Sequence, residues 1–223
     1  MLQGKKLIMF DMDGTLIDSS PDLAHAINHM LQKLGRNPVS KEAVDSWLGN
    51  GAQMLVKRAL SNASEVDSSL QTDLIDEAQA LFLAYYASHL CIETQCYPQV
   101  PETLEKLHAA GFSMVLITNK PLVFVSPILE KLGIAGFFEK ILGGDSLERK
   151  KPDPLPLQHM MAAYGVLPQE CMMVGDSKND ILAAKAADVE SIAVTYGYNY
   201  AEPVTKYHPD YAIDHFADIL VEE

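Results

Sequence analysis

The sequence has few cysteines and no long apolar segment. Its three cysteines, Cys91, Cys96 and Cys171, include no CxxC pair, so they predict neither a disulfide framework nor a zinc site and favour a reducing compartment. No apolar run approaches the roughly 20 residues that a membrane-spanning helix needs. Only four apolar residues, LIMF, stand together before Asp11, which argues against a secretory signal. We therefore expect a cytoplasmic protein without a membrane partner.

Basic residues are also scarce. The chain has 17 Lys and Arg against 30 Asp and Glu, a formal net charge of −13. Nucleic-acid binding requires basic surface facing the phosphate backbone, so we expect no nucleic-acid partner. A small anionic substrate remains compatible with this charge if a metal ion or a few local cations receive it. The length of 223 residues fits one core domain with a sizeable insertion.

Apolar strand-like runs alternate with helical patterns along much of the chain. Most of these runs are continuous, which is typical of strands covered on both faces. They are KLIMFD (6–11), SMVLITN (113–119), EKILGG (139–144), CMMVGD (171–176), ESIAVTYG (190–197) and DYAI (210–213). Helical segments that often finish in glycine separate the runs, so the order predicts an α/β fold with a Rossmann-like, doubly wound parallel sheet. Pro127 lies inside one helical segment and is expected to kink or split it.

Residues 16–95 break this alternation. They contain four helical patterns and no convincing strand, at 20–35, 40–48, 51–62 and about 66–90. The simplest interpretation is an all-helical cap inserted after the first strand, with residues 1–15 and 96–223 forming the α/β core. Because ligands of open α/β sheets bind at the carboxyl ends of the strands, the cap would lie over the site.

Polar side chains gather at the predicted carboxyl ends of three strands. They are Asp11, Asp13 and Thr15, then Thr118, Asn119 and Lys120, then Asp176 directly after Gly175 and Asp180 one turn later, with Lys150 and Lys151 preceding a helix. Each feature alone is compatible with ordinary turn or capping chemistry. Several carboxylates with a hydroxyl and an ammonium at one sheet edge suit Mg²⁺, which takes oxygen ligands and a substrate phosphate.

Four motifs, DMDGTLIDS, TNK, KPDP and GDSKND, stand in this order and resemble those of the haloacid dehalogenase-like hydrolase superfamily. The similarity covers essentially the whole chain. The segments WLGNGAQMLVKRAL and TYGYNY further resemble the phosphoglycolate phosphatases within this superfamily. The resemblance implies an Mg²⁺-dependent phosphatase of a small anionic phosphomonoester, 2-phosphoglycolate being the leading substrate, and a monomer or weak homodimer.

The resemblance also implies roles for the acidic residues. Asp11 would be the nucleophile and would form an aspartyl-phosphate. Asp13 would protonate the leaving alkoxide and then deprotonate the attacking water. The Asp11 carboxylate, the Asp13 backbone carbonyl and the Asp176 carboxylate would hold the metal. Asp180 would act behind them, through water or by orienting a lysine.

The remaining residues of the motifs would bind the phosphoryl group. Thr118, Asn119 and Lys151 are expected to stabilise its oxygens. Lys151 is preferred over Lys150 because it directly precedes Pro152, as the family pattern requires.

The cap would recognise the group to which the phosphate is attached. Gly49, Asn50 and Gly51 form a GNG segment, followed by Lys57 and Arg58. Backbone amides and Arg58 could receive a carboxylate, but a glycine-bounded loop with solvated cations is an equally good interpretation, since Lys and Arg mostly lie at surfaces.

Other functions stay open at this point. A receiver-type phosphoacceptor domain collects similar residues but has no helical insertion after its first strand. A haloacid dehalogenase would need neither Asp13 nor Mg²⁺. A phosphosugar mutase, or a phosphatase of pyrophosphate or a sugar phosphate, would share all four motifs and differ only in the cap.

Overall fold

A six-stranded parallel sheet forms the centre of the fold, which is described for residues 1–221 of a computed structural model. The strands in chain order are β1 (Leu7–Phe10), β2 (Ile17–Asp18), β3 (Gln95–Cys96), β4 (Ser113–Ile117), β5 (Lys140–Leu142), β6 (Cys171–Gly175), β7 (Glu190–Val194) and β8 (Tyr211–Ile213). The sheet has the order β5-β4-β1-β6-β7-β8, and every neighbouring pair is parallel. This confirms the predicted Rossmann-like α/β class. The predicted core domain ran to residue 223, and its last two residues lie outside the described part.

The helices follow the predicted pattern with small differences at most of their ends, but the helix predicted from about residue 66 begins only at Thr72. They are α1 (Ser20–Lys33), α2 (Lys41–Asp45), α3 (Ala52–Ser61), α4 (Thr72–Ser88), α5 (Val100–Ala109), α6 (Leu122–Lys131), α7 (Leu155–Tyr164) and α8 (Lys178–Ala186). The helix predicted at 40–48 ends at Asp45, and the chain then turns through Gly49 and Gly51, which have φ values of +103° and +83°. Among residues 1–221, no helix combines the length and apolarity that crossing a membrane requires.

Pro127 does not split its helix, contrary to one of the two predicted outcomes. It lies inside α6, which continues to Lys131. The carbonyl that loses its partner belongs to Val123, four residues earlier. Val123 is 70% exposed, so water can reach that side of the helix and replace the missing hydrogen bond.

The core has one layer of helices on each face of the sheet. Leu7 and Met9 of β1 pack with apolar residues of α7 and α8. Ile8 and Phe10 point the other way and pack with residues of α5 and α6. All four side chains are fully buried, and each contributes roughly 1.5–3 kcal/mol through burial. This two-sided burial explains why the strand reads as a continuous apolar run.

A two-stranded antiparallel ribbon, β2 with β3, joins the two ends of the helical insertion. The patterning did not predict it. Next to the ribbon, the Asp22 carboxylate accepts hydrogen bonds from the backbone N–H groups of Ile92, Glu93 and Thr94 at 2.9–3.0 Å. The two connections between the insertion and the core therefore run side by side. The boundaries 16 and 95 stay a prediction that agrees with this ribbon.

Candidate active site

Lys151 connects two carboxylates at the carboxyl edge of the sheet. Its Nζ lies 2.9 Å from Asp11 Oδ1 and 2.6 Å from Asp180 Oδ1, and it also donates to the carbonyl of Ile117, where β4 ends. Burial lowers the pKa of Lys151, but the Asp11 and Asp180 carboxylates outweigh burial and raise this pKa above its usual value. Lys151 is therefore a fixed cation directly beside Asp11.

Both carboxylate oxygens of Asp180 accept hydrogen bonds. Oδ2 accepts hydrogen bonds from Ser177 N at 3.0 Å and Ser177 Oγ at 2.7 Å, which forms a capping box at the start of α8. Oδ1 faces Lys151. Asp180 is fully buried. This is the geometry that a residue orienting Lys151 would need.

Asp176 lies in a narrow space between two loops. Thr15 Oγ1 donates to its Oδ1 at 3.1 Å, and Tyr198 N donates to its Oδ2 at 2.8 Å. A Cβ atom on Gly14 would lie 2.2 Å from Asp176 Oδ2, and one on Gly197 would lie 2.2 Å from Asp176 Cβ. Glycine at both positions is therefore what leaves room for the carboxylate.

The residues fit a hard divalent cation. Asp11, Asp176 and Asp180 bring ligand oxygens within 4.8 Å of one another. Burial raises the pKa of Asp11 to about 7; Lys151 opposes this rise and Asp180 adds to it. Burial, and then the charges of Asp180 and Asp11, raise the pKa of Asp176 well above its usual value. Three buried carboxylates with one lysine leave negative charge that a divalent cation would compensate, and oxygen-only donors suit Mg²⁺.

Thr118 and Asn119 follow β4 directly. Thr118 is 3% exposed, and its Oγ1 accepts a hydrogen bond from Lys120 N at 3.2 Å, so its hydroxyl proton remains available to a phosphoryl oxygen. The side-chain amide of Asn119 donates to the carbonyls of Gly49 at 3.0 Å and Lys151 at 2.9 Å. Asn119 thus holds a cap loop and Lys151 in place, and its predicted contact with phosphate stays a prediction.

Asp13 has a different set of partners from Asp11. Its Oδ1 accepts a hydrogen bond from Ser19 Oγ, and its two oxygens lie 3.0 and 3.2 Å from Lys120 Nζ. The Asp13 side chain is 19% exposed, more than the 12% of Asp11. Asp13 is thus the more accessible member of the pair that follows β1.

A cavity of about 50 Å³ opens between the sheet edge and the cap. Its polar residues come from the sheet edge, and most of its apolar residues come from the cap. The lining consists of Asp11, Asp13, Thr118, Asn119, Lys120 and Pro121 with Leu23, Leu48, Gly49, Gly51, Ala52, Leu55, Phe82, Tyr86 and Phe124. A buried water needs roughly 10–15 Å³ by this measure, so the cavity has room for a few non-hydrogen atoms beyond the sheet edge.

The loop at 49–51 contacts the core through its carbonyl groups. Gly49 O accepts hydrogen bonds from Asn119 Nδ2 and from Asn179 Nδ2 at 2.9–3.0 Å. Asn50 O accepts one from Lys150 Nζ at 2.9 Å. A Cβ on Gly51 would lie 2.9 Å from the carbonyl oxygen of Asn119. The loop is therefore closed onto the core, and Lys150 belongs to this contact rather than to the carboxylate cluster.

Arg58 is not among the residues that line the cavity. Its guanidinium donates to Trp47 O at 2.7 Å and Ser64 O at 3.0 Å, and it lies 5.3 Å from the ring centroid of Tyr200. The structure thus brings Gly49 and Gly51 to the cavity and uses Arg58 to support the loop that carries them. Direct contact between Arg58 and substrate stays a prediction.

Several residues of the site were not in the predicted set. Lys120 was noticed at the end of its strand but was given no role. Asn179 and Tyr198 lie in GDSKND and TYGYNY, so their motifs were identified without their contacts. Ser19 gave no signal beyond its place before a helix.

The pattern of the family described as haloacid dehalogenase-like hydrolase matches residues 8–194 of this chain. The curated relatives named phosphoglycolate phosphatase include proteins from Colwellia psychrerythraea and Vibrio parahaemolyticus. The one from Colwellia psychrerythraea is 47% identical over 99% of this chain and 97% of the relative. The one from Vibrio parahaemolyticus is 49% identical over 98% of this chain and 96% of the relative.

Solved structures share the same architecture. A crystal structure described as a predicted phosphoglycolate phosphatase from Haemophilus somnus superposes with a TM-score of 0.92 at 42% identity, covering 99% of this chain and 98% of the other. The similarity therefore extends over nearly the whole of both chains.

Proposed function

This chain belongs to the haloacid dehalogenase-like hydrolase family, and we propose that it is an Mg²⁺-dependent phosphatase that hydrolyses 2-phosphoglycolate to glycolate and phosphate. Full-length relatives of 44–49% identity named phosphoglycolate phosphatase support the substrate. The proposal rests above all on one observation: the Asp11 carboxylate borders the cavity with the Lys151 ammonium 2.9 Å away.

In the first half of the reaction, a carboxylate oxygen of Asp11 attacks phosphorus. The bond from phosphorus to the ester oxygen breaks, and an aspartyl-phosphate forms. The leaving glycolate oxygen takes a proton from Asp13, whose more exposed carboxylate lines the same cavity. Lys151 and the Thr118 hydroxyl stabilise the phosphoryl oxygens as charge develops on them.

In the second half, water attacks the phosphorus of the aspartyl-phosphate. Asp13, now ionised, accepts the proton of this water, and the Asp11 carboxylate leaves as phosphate is released. Asp13 ends the cycle protonated, as it began. General acid–base catalysis of this kind contributes about 10²–10⁴-fold, so the larger share of the acceleration comes from electrostatic stabilisation.

Mg²⁺ would be held by the Asp11 and Asp176 carboxylates and the Asp13 carbonyl, and when bound it supplies positive charge to the phosphoryl oxygens. Asp180 belongs to the same carboxylate cluster, with a ligand oxygen within 4.8 Å of those of Asp11 and Asp176. Its two existing partners, Ser177 and Lys151, favour an indirect role in orienting Lys151.

The size of the cavity favours a small leaving group. Its volume of about 50 Å³ corresponds to only a few water-sized groups. A hexose is larger and would require the loop at 49–51 to separate from Asn119 and Asn179. Amides at the start of α3, beside Gly51, add a positive end to this side of the cavity.

Phosphate release from a substrate panel tests the proposal. The panel contains 2-phosphoglycolate, pyrophosphate, glucose phosphates and p-nitrophenyl phosphate, each with Mg²⁺ and with EDTA. We expect kcat/KM for 2-phosphoglycolate to stand well above the others and to vanish with EDTA. A flat profile that still requires Mg²⁺ would retain the phosphatase and reject the substrate. Activity that persists in Asp11→Asn would reject the nucleophile.

A further inference from the structure

Lys120 is a buried cation in the wall of the cavity. Its side chain is 4% exposed. Its Nζ lies 4.9 Å from the ring centroid of Tyr86 and 3.0 Å from Asp13 Oδ1. Burying an ammonium costs several kcal/mol unless it is paired; Asp13 supplies the partner that keeps Lys120 charged, and Lys120 also lines the cavity.

Lys120 differs from the other cations near the site because it lines the cavity. Lys151 is occupied by Asp11 and Asp180, Lys150 donates to a cap carbonyl, and Arg58 donates to two others. Among the described residues that line the cavity, Lys120 is the only cation.

The Tyr86 hydroxyl adds a second polar group to this wall. It is buried and makes no hydrogen bond of normal geometry, although it lies beside the Lys120 ammonium. Burial raises the pKa of Tyr86 to about 12, so the hydroxyl keeps its proton and can donate it. A buried donor without an acceptor is costly, and an anionic ligand group would supply the acceptor.

The position of Lys120 relative to Asp13 determines which part of a bound substrate Lys120 would contact. In the proposed reaction Asp13 contacts the ester oxygen, and Lys120 is within hydrogen-bond distance of Asp13. In 2-phosphoglycolate a single carbon atom separates the ester oxygen from the carboxylate. A carboxylate at that distance reaches the neighbourhood of Lys120, whereas the phosphoryl group remains near Lys151.

We propose that Lys120, assisted by the Tyr86 hydroxyl, binds the carboxylate of the leaving group and makes the site selective for short phosphorylated acids over neutral phosphomonoesters of the same size. The inference rests on the proposed phosphatase function. The inference assigns to Lys120 the binding of the substrate carboxylate, a role that the sequence analysis considered for Arg58.

The test compares two substrates that differ in one group: 2-phosphoglycolate and 2-hydroxyethyl phosphate, which carries a neutral hydroxymethyl group in place of the carboxylate. We expect Lys120→Met to lower the ratio of their kcat/KM values by roughly 10- to 150-fold, the range for a hydrogen bond to a charged group. The loss falls mainly on KM for 2-phosphoglycolate. A general defect in folding or catalysis would lower both activities and leave the ratio unchanged.

Lys106→Met provides the matched control, because it removes the same charge from an exposed position on α5 and should keep the wild-type ratio. Lys120→Gln serves if the methionine variant does not fold, since it is neutral yet can still donate to Asp13. An unchanged ratio in a folded Lys120 variant overturns the inference and leaves the phosphatase intact. A wild-type enzyme that hydrolyses both substrates equally overturns the proposed substrate as well.

Discussion

Lys151 Nζ lies 2.6 Å from Asp180 Oδ1, and neither side chain is more than 2% exposed. The same nitrogen pairs with Asp11 at 2.9 Å, so one ammonium separates two carboxylates that would otherwise repel each other. Asp180 also caps α8 through Ser177. The position of the proposed nucleophile is therefore connected to the start of a core helix.

Replacing this lysine should affect both stability and catalysis. Lys151→Met leaves Asp11 and Asp180 buried without their cation, and removing one partner of a buried pair costs about 3–5 kcal/mol. We expect the free energy of unfolding, measured by urea denaturation without metal, to fall by about that amount, and phosphatase activity to be lost.

Lys106→Met is the control for this experiment, since an exposed substitution on α5 should change stability by no more than about 0.5 kcal/mol. A Lys151→Met protein as stable as the wild type would show that the pair contributes nothing to the fold.

Asp13→Asn separates the two proton transfers. Its amide supplies no proton to the leaving oxygen and accepts none from water, so we expect kcat for 2-phosphoglycolate to fall by about 10²–10⁴-fold. With p-nitrophenyl phosphate the leaving group needs no proton, and only the second half of the reaction should slow. Rapid mixing should then show a burst of p-nitrophenol followed by a slow steady rate. Equal slowing of the burst and the steady rate would contradict the role of Asp13 as general base.

The sequence predicted the carboxylate cluster because topology alone brings it together. Continuous apolar runs identified β1 and β6 as buried parallel strands, and parallel strands end at the same edge of a sheet. Asp11 and Asp176 follow those strands directly. Their proximity needed no knowledge of loop conformation.

Contacts between the cap and the core could not be predicted in this way. Gly49 meets Asn119 and Asn179 through its backbone carbonyl, and no side-chain pattern reports on a carbonyl. Lys120 meets Asp13 across residues distant in the sequence, which periodicity does not encode. The β2–β3 ribbon has two residues per strand, too few for a pattern of period two to be identified.

Gly14 should be required for the metal site through its lack of a side chain. It has φ +88°, and a Cβ there would lie 2.2 Å from Asp176 Oδ2. Gly14→Ala should therefore displace the carboxylate and weaken Mg²⁺ binding, measured by calorimetry and by the Mg²⁺ dependence of kcat.

Gly111→Ala is a close control for that change. Gly111 has φ +84° with no atom within 4 Å of the added Cβ, so it carries the same left-handed cost of about 1–2 kcal/mol without the clash. Gly111→Ala should therefore keep the wild-type Mg²⁺ affinity, and an equal affinity in Gly14→Ala would show that the added methyl group does not act through Asp176.

The last prediction concerns pH and the metal together. Burial raises the pKa of Asp11 to about 7 and raises that of Asp176 as well. Between the unfolded pKa of about 4 and these folded values, the folded metal-free protein holds protons that the unfolded chain has lost. Its free energy of unfolding should therefore fall as the pH rises through this window.

A divalent cation should reverse that trend, because it binds the ionised carboxylates and competes with their protons. We expect the rise in Tm on replacing EDTA with Mg²⁺ to be larger near about pH 8 than near about pH 5. Asp176→Asn, which removes one proposed ligand, should reduce the rise at the higher pH most. A rise of the same size at both pH values would mean that Mg²⁺ binds elsewhere, and that Asp11 and Asp176 do not share a cation.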